Sequence, residues 1–187
     1  MATGNGQRTT LYSTTQLELV LSAMAAAMAA KLSTAQQVAL VGIRRRGAPL
    51  ADTLLERLRP RLPASDLTRI DLLVQRYADD LTLLHPHTQL TEQPEHAQIN
   101  LSDRVVVLVD DVLYGGYSMN KAVQYLLSKG VKTIYSAVLV DRQCSRLPVR
   151  ADIAGLHLEV APGCIVECHV PPFEPLLQIV LVQPDGA

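Results

Sequence analysis

The chain has 187 residues, 48% of them hydrophobic, and its 17 Lys and Arg against 18 Asp and Glu leave a formal net charge of −1. That length suits one domain, residues 1–187, with a proper core, and the near-neutral balance excludes a global pull on nucleic acid, so any anion site must be local. Three cysteines, Cys144, Cys164 and Cys168, fit a reducing compartment, and "MATGNGQRTT" carries no apolar signal core, so a cytoplasmic protein is expected.

Residues 1–12 are expected to be flexible. Thr14 and Thr15 then cap a helix to about Leu32, with Leu17, Val20, Leu21, Met24 and Met28 at helical spacing. Glu18, Ser22 and Lys31 interrupt this run, which is therefore not a membrane span. Its stripe from Met24 to Met28 reads as core or subunit interface. "QQVALVGI" is a buried strand ending near Ile43, "RRRG" a turn, and "APLADTLLERL" a helix that tolerates Pro49 in its first turn. "TRIDLLVQRY" is a second strand. Residues 81–100 are polar, carry His85, His87 and His96, and read as a lid-like loop. Next come a strand over residues 105–109, a turn, a helix from Ser118 to Ser128, and the strand "KTIYSAVLV". "CIVECHV" and "LLQIVLV" are further apolar runs. Cys164, Cys168 and His169 lie on the first of these, where strand spacing does not present a compact tetrahedral metal set. Strands alternating with helices predict an α/β fold with a mostly parallel sheet.

In such sheets ligands sit beyond the carboxyl ends of the strands. That rule selects "RRRG", "YADD" and "DDVLYGGYS", all of which carry charge or glycine. In the last, Gly115 and Gly116 permit positive φ, so that backbone N–H groups can converge on one point, and Ser118 opens a helix whose N-terminus attracts phosphate. Asp110 and Asp111 would repel a phosphate, so they fit hydroxyl groups or a divalent cation beside it. A phosphorylated sugar offers both.

The order of strand, two acids, glycine turn and helix resembles the phosphoribosyl-diphosphate signature of type I phosphoribosyltransferases, and most closely the PyrR family of pyrimidine-operon attenuators and uracil phosphoribosyltransferases. Its pattern there is D-D-V-L-Y-T-G-R-T, matched by Asp110, Asp111, Val112, Leu113, Tyr114 and Gly116, with Ser118 for the threonine. "VGIRRRGAPLA" is similar to V-G-I-K-T-R-G-x-x-L-A, "YADDL" to Y-R-D-D-L, and "LVDRQCSRLPVRADIAG" to L-V-D-R-G-H-R-E-L-P-I-R-A-D-Y-V-G. The resemblance implies a type I phosphoribosyltransferase fold, a central mostly parallel sheet flanked by helices, with a small base-side hood in residues 141–175. It implies that Asp110 and Asp111 hold the ribose hydroxyls, directly or through Mg²⁺ and water. Tyr114, Gly115, Gly116, Tyr117 and Ser118 would bind the 5-phosphate, and Arg44, Arg45, Arg46 and Gly47 would face the diphosphate. Arg142, Asp152, Ile153 and Ala154 would lie near the base. The implied reaction joins uracil to phosphoribosyl diphosphate, giving UMP and diphosphate, in a cytoplasmic homo-oligomer that also answers to UMP or UTP.

This sequence departs from the pattern at four places. Gly115 and Tyr117 replace a threonine and an arginine, and Ala78 replaces the arginine of Y-R-D-D. No Lys or Arg occurs between Arg76 and Arg104. Ile153 stands for an aromatic, and Leu156 for a lysine. Such losses reduce transition-state stabilisation more than ground-state binding; Arg45 is an added charge in the opposite sense. Two other readings therefore stand beside the uracil enzyme. One is a phosphoribosyltransferase for another base. The other is a nucleotide-sensing attenuator that binds leader RNA, for which Arg57, Arg59 and Arg61 form a basic face with steep salt dependence.

Overall fold

The computed structural model describes residues 6–75, 89–92 and 99–184. Strand β1 (Gly6–Tyr12) leads into helix α1 (Thr14–Lys31). The cap of α1 is Ser13 rather than Thr14 or Thr15, because the Ser13 N–H donates to Gln16 Oε1 at 2.9 Å. One stripe of α1 is buried, comprising Leu17, Leu21, Met24, Ala25 and Met28. There follow β2 (Gln37–Arg44), α2 (Gly47–Leu58), β3 (Asp66–Gln75), β4 (Gln89–Glu92), β5 (Val105–Leu113), α3 (Tyr117–Ser128), β6 (Thr133–Asp141), β7 (Ile153–His157), β8 (Ile165–His169) and β9 (Gln178–Pro184).

The main sheet has the order β4-β3-β2-β5-β6-β7. Its five strands from β3 to β7 are parallel, and β4 closes one edge antiparallel. Successive residues of a strand face opposite sides, and the two cores divide accordingly. Val38, Leu40, Val107 and Val109 pack with Leu21, Met28 and Leu54 of α1 and α2, whereas Ala39, Val41, Val106 and Leu108 pack with Met119, Ala122 and Leu126 of α3. Burial on both faces explains why these strands read as unbroken apolar runs.

The chain leaves β2 towards β3 on one side and leaves β5 towards β6 on the other, so the β2–β5 boundary is the switch point of the sheet. There the ladder stops at Gly42 opposite Val109. β2 continues with β3 as far as Arg44, and β5 continues with β6 as far as Leu113. The two strands thus part, and a crevice opens between residues 44–47 and residues 110–118.

Several expectations need correction. β5 does not end at Val109; the two aspartates belong to it, because β6 still pairs with Asp110, Val112 and Leu113 on one side. Residues 6–12, expected to be flexible, form β1, which pairs antiparallel with β9. The second, three-stranded sheet is β1-β9-β8, so the hood expected within residues 141–175 draws only β8 from that range, and β7 belongs to the main sheet. Within residues 81–100, Gln89–Glu92 form β4. Ala78, Asp79, Asp80, His85, His87 and His96 lie outside the described residues. Among the described residues, no helix is long and apolar enough to cross a membrane.

Candidate active site at the switch point

One lip of the crevice is set by close packing. A Cβ on Gly47, the first residue of α2, would lie 2.6 Å from the Val109 carbonyl oxygen and 3.0 Å from Asp110 Cα. Only glycine lets the helix start so near β5. Asp110 and Asp111 are each half-buried, and Asp110 Oδ1 accepts the Asp111 N–H at 2.9 Å. Burial, then the neighbouring Asp111 charge, holds the Asp110 carboxyl well above the usual carboxylate range. Burial also raises Asp111, against the opposing pull of its hydrogen bond with Asp110 and of the Arg46 charge. Two crowded acids of this kind gain from a hydroxyl donor or a divalent cation, either of which offsets their repulsion.

The other side is the glycine turn. Gly116 has φ 80° and forms the N-cap of α3. Gly115 is not in the left-handed region, so the turn uses one such residue where two were expected. Beyond it, the first N–H groups of α3 have no partner within the helix. A cavity of about 420 Å³ opens here, lined by Asp110, residues 112–119 and Arg146. Tyr117 closes against Gly115: a Cβ at that glycine would lie 3.0 Å from the tyrosine ring. A side chain at 115 would therefore press on the Tyr117 ring, which would have to shift by a few tenths of an ångström.

The far wall is the loop after β6. The Arg142 N–H donates to the Leu113 carbonyl at 3.0 Å, the Arg146 N–H to the Gly115 carbonyl at 3.3 Å, and Ser145 Oγ to the Tyr114 carbonyl at 3.3 Å. Arg142 is buried, with its guanidinium 5.4 Å from the centre of the Tyr114 ring. Arg146 escaped the sequence reading. Its only signal is a basic residue close behind a strand whose end reaches the crevice.

Residues 44–46 are held from a third direction, by the segment after β8. Arg46 Nε donates to Glu174 Oε2 at 3.2 Å within an ion pair, and Arg45 lies 4.8 Å from the centre of the Phe173 ring. Glu174 Oε2 also accepts the Val170 N–H at 2.8 Å. Burial pushes the Glu174 carboxyl up, but the Arg46 and Val170 hydrogen bonds and the Arg46 charge outweigh it, and its pKa ends below the usual value. The Arg44–Arg45 peptide is cis. Neither Phe173 nor Glu174 was singled out from the sequence.

Of the four residues expected near the base, Arg142 alone reaches the crevice. Asp152 Oδ2 accepts the Ser136 N–H at 2.9 Å and pins the start of β7 to β6. Ile153 is 6% exposed, within the core, and pairs with Ala137, level with Val109 and below the aspartates; Ala154 follows it beside Val138. On the expected basic face, Arg57 pairs with Glu18, and Arg61 donates to the Arg57 carbonyl at 2.7 Å. Arg59 is exposed. Cys168 is buried with its thiol 3.8 Å from the Asp111 carbonyl, and His169 pairs with Glu167. Among the described residues no three His, Cys, Asp or Glu side chains gather into a metal site.

A doubly covered parallel sheet with paired acids and a glycine turn at its switch point defines a class, and the chain belongs to the phosphoribosyl transferase domain family, which matches residues 10–170. It shares its fold with hypoxanthine phosphoribosyltransferase from Trypanosoma cruzi complexed with the product IMP, at TM-score 0.74 and 14% identity over 96% of this chain and 92% of that one. Within the family its likeness is to the bifunctional protein PyrR. It is 32% identical to that of Actinobacillus pleuropneumoniae over 90% of this chain and 93% of the relative, and 34% identical to that of Deinococcus radiodurans over 86% of each.

Proposed function

We propose that the protein is a phosphoribosyltransferase of the PyrR kind that transfers the phosphoribosyl group of phosphoribosyl diphosphate to uracil. The observation that carries this reading is a pair of adjacent acids, one of them in the wall of a cavity at the start of α3, with arginines across the crevice. Asp110 and Asp111 hold the ribose hydroxyls, the turn over residues 114–118 takes the 5-phosphate, and Arg44, Arg45, Arg46 and Gly47 face the diphosphate. Arg142 closes the base side.

The donor set suits Mg²⁺, which takes one or two carboxylates and fills its shell with substrate oxygens and water. Asp110 and Asp111 would hold it, directly or through water, and when bound it supplies partial neutralisation of the diphosphate charge. The chain's own part is to position and to stabilise charge. As the bond from the sugar to diphosphate breaks, positive charge develops on the ring beside the two carboxylates, negative charge develops on the diphosphate beside Arg45 and Arg46, and the base nitrogen bonds to the ring from the opposite face while its N–H proton is released to solvent.

Calorimetric titration with phosphoribosyl diphosphate and Mg²⁺, followed by turnover of labelled uracil to UMP, tests the reading. Micromolar or tighter binding with UMP formation is expected. An absence of binding, or binding unchanged in a double Asp110→Asn, Asp111→Asn variant, sinks it. A second role, retention of a pyrimidine leader RNA in the cytoplasm, is supported by the relatives' description as bifunctional and by the exposure of Arg59 and Arg61 beyond α2. Filter retention of such an RNA that falls steeply with salt is the corresponding measurement.

A further inference from the structure

We propose that Arg146 is the side chain that grips the 5-phosphate of the substrate, an inference that rests on the phosphoribosyltransferase reading. The cavity before α3 must hold a group with up to two negative charges, and Asp110 stands in its wall. The turn itself offers glycine backbone and hydroxyl groups but no charge. The N-terminus of α3 contributes the equivalent of about half a positive charge, which does not balance a dianion next to a carboxylate. Among the described residues lining this cavity, Arg146 alone carries a positive side chain.

Its backbone is fixed on the turn it would serve. The Arg146 N–H donates to the Gly115 carbonyl, and Ser145 Oγ to the Tyr114 carbonyl, each at 3.3 Å. Gly116 faces the same loop, since a Cβ there would come within 3.5 Å of Val149 and 3.6 Å of Leu147 and Ser145. The Arg146 side chain is exposed and forms no ion pair among the described residues, so it turns onto an anion without first breaking one. A guanidinium presents a planar fork that matches two phosphate oxygens. The phosphate is thus held from two elements: by main chain from the turn before α3, and by charge from the loop after β6.

The test titrates wild type, Arg146→Gln, Arg146→Lys and Arg150→Gln with ribose 5-phosphate and, separately, with inorganic diphosphate. Arg150 is an exposed arginine of the same segment outside the cavity lining, and its loss removes the same charge. Losing a charge-assisted contact predicts that Arg146→Gln weakens ribose 5-phosphate by about 10- to 100-fold and leaves diphosphate within about twofold. Arg146→Lys recovers part of the loss, because it restores charge without the fork, and Arg150→Gln stays near wild type for both ligands. Ribose 5-phosphate binding that is equal in Arg146→Gln and wild type overturns the assignment, as does equal weakening by Arg146→Gln and Arg150→Gln. A wild type that binds diphosphate but not ribose 5-phosphate also overturns it, with the diphosphate side of the reading intact. Failure to bind either ligand overturns the transferase reading and this inference together.

Discussion

Replacing Gly47 with alanine measures how tightly α2 must sit on β5 for the crevice to work. The added Cβ would lie 2.6 Å from the Val109 carbonyl oxygen, 3.0 Å from Asp110 Cα and 3.3 Å from Asp110 Oδ1. Ordinary contact begins at 3.4 Å, so helix and strand must separate by about 0.8 Å, the difference between 3.4 and 2.6. The obstacle is main chain and cannot swing aside. Gly47 does not have positive φ, so the effect is one of space alone. Overpacking of this kind costs about 1–3 kcal/mol, and at this chain length each kcal/mol lowers Tm by about 2–4 °C, which gives a fall of roughly 2–12 °C. The displacement falls on Asp110 and on Arg46, the N-cap of α2. Misplacement approaching 1 Å costs about 100-fold in rate, so kcat/KM for UMP formation is expected to drop by about that factor. Thermal melts read the first effect and turnover the second. A variant with Tm within about 1 °C of wild type and an unchanged kcat/KM would falsify the close seating of α2 as the source of the site's geometry.

Two carboxyl substitutions have opposite pH signatures. The folded-state pKa of Asp110 lies above its unfolded value, so the folded state binds more protons, and stability falls as pH rises from the ordinary carboxylate range through the raised pKa. Asp110→Asn is therefore expected to raise Tm at neutral pH, with the gain shrinking in acid, while binding of phosphoribosyl diphosphate with Mg²⁺ is lost; a lower Tm at pH 7 contradicts this. The folded-state pKa of Glu174 lies below its unfolded value, so its contribution is present above the ordinary range and disappears as pH falls through the depressed pKa. Both members of the Arg46 pair are partly exposed, which limits Glu174→Gln to a loss of about 1 kcal/mol or less. Melts from pH 7 downwards should show a small deficit that vanishes in acid, and a deficit independent of pH refutes the assignment.

What the sequence made legible follows from what local patterns encode. Apolar runs broken by helical segments fixed the element order and the parallel sheet, and the acids within β5 and the glycines after it marked the crevice. The end of β5 was misplaced because a fall in hydrophobicity was taken for a strand end, although Asp110 still pairs beside Val138. β1 was missed because "GQRTTLY" has no apolar run. It is a strand by virtue of its partner β9, and pairing between distant segments leaves no local trace. Asp152 and Ile153 were placed near the base because a motif in sequence does not reveal its register; Ile153 lies opposite Ala137, in the packed part of the sheet, and Asp152 just before it accepts the Ser136 N–H. Arg146, Phe173 and Glu174 reach the crevice only because loops from β6 and β8 fold back over it.

The ladder that ends at Val109 on one flank of β5 and continues to Leu113 on the other has a consequence for what counts as the folded protein. Residues 110–113 form a strand with a neighbour on β6 alone, and along the opposite flank the sheet is unfinished. Main-chain groups left there must find partners, and the Asp111 N–H finds the Asp110 carboxyl while the Asp111 carbonyl faces the Cys168 thiol. On the proposed function, a sugar phosphate in the crevice would lie where a further run of β2 would have lain. On that reading the substrate is the last piece of the sheet, and loading the enzyme would complete its architecture as well as begin its chemistry.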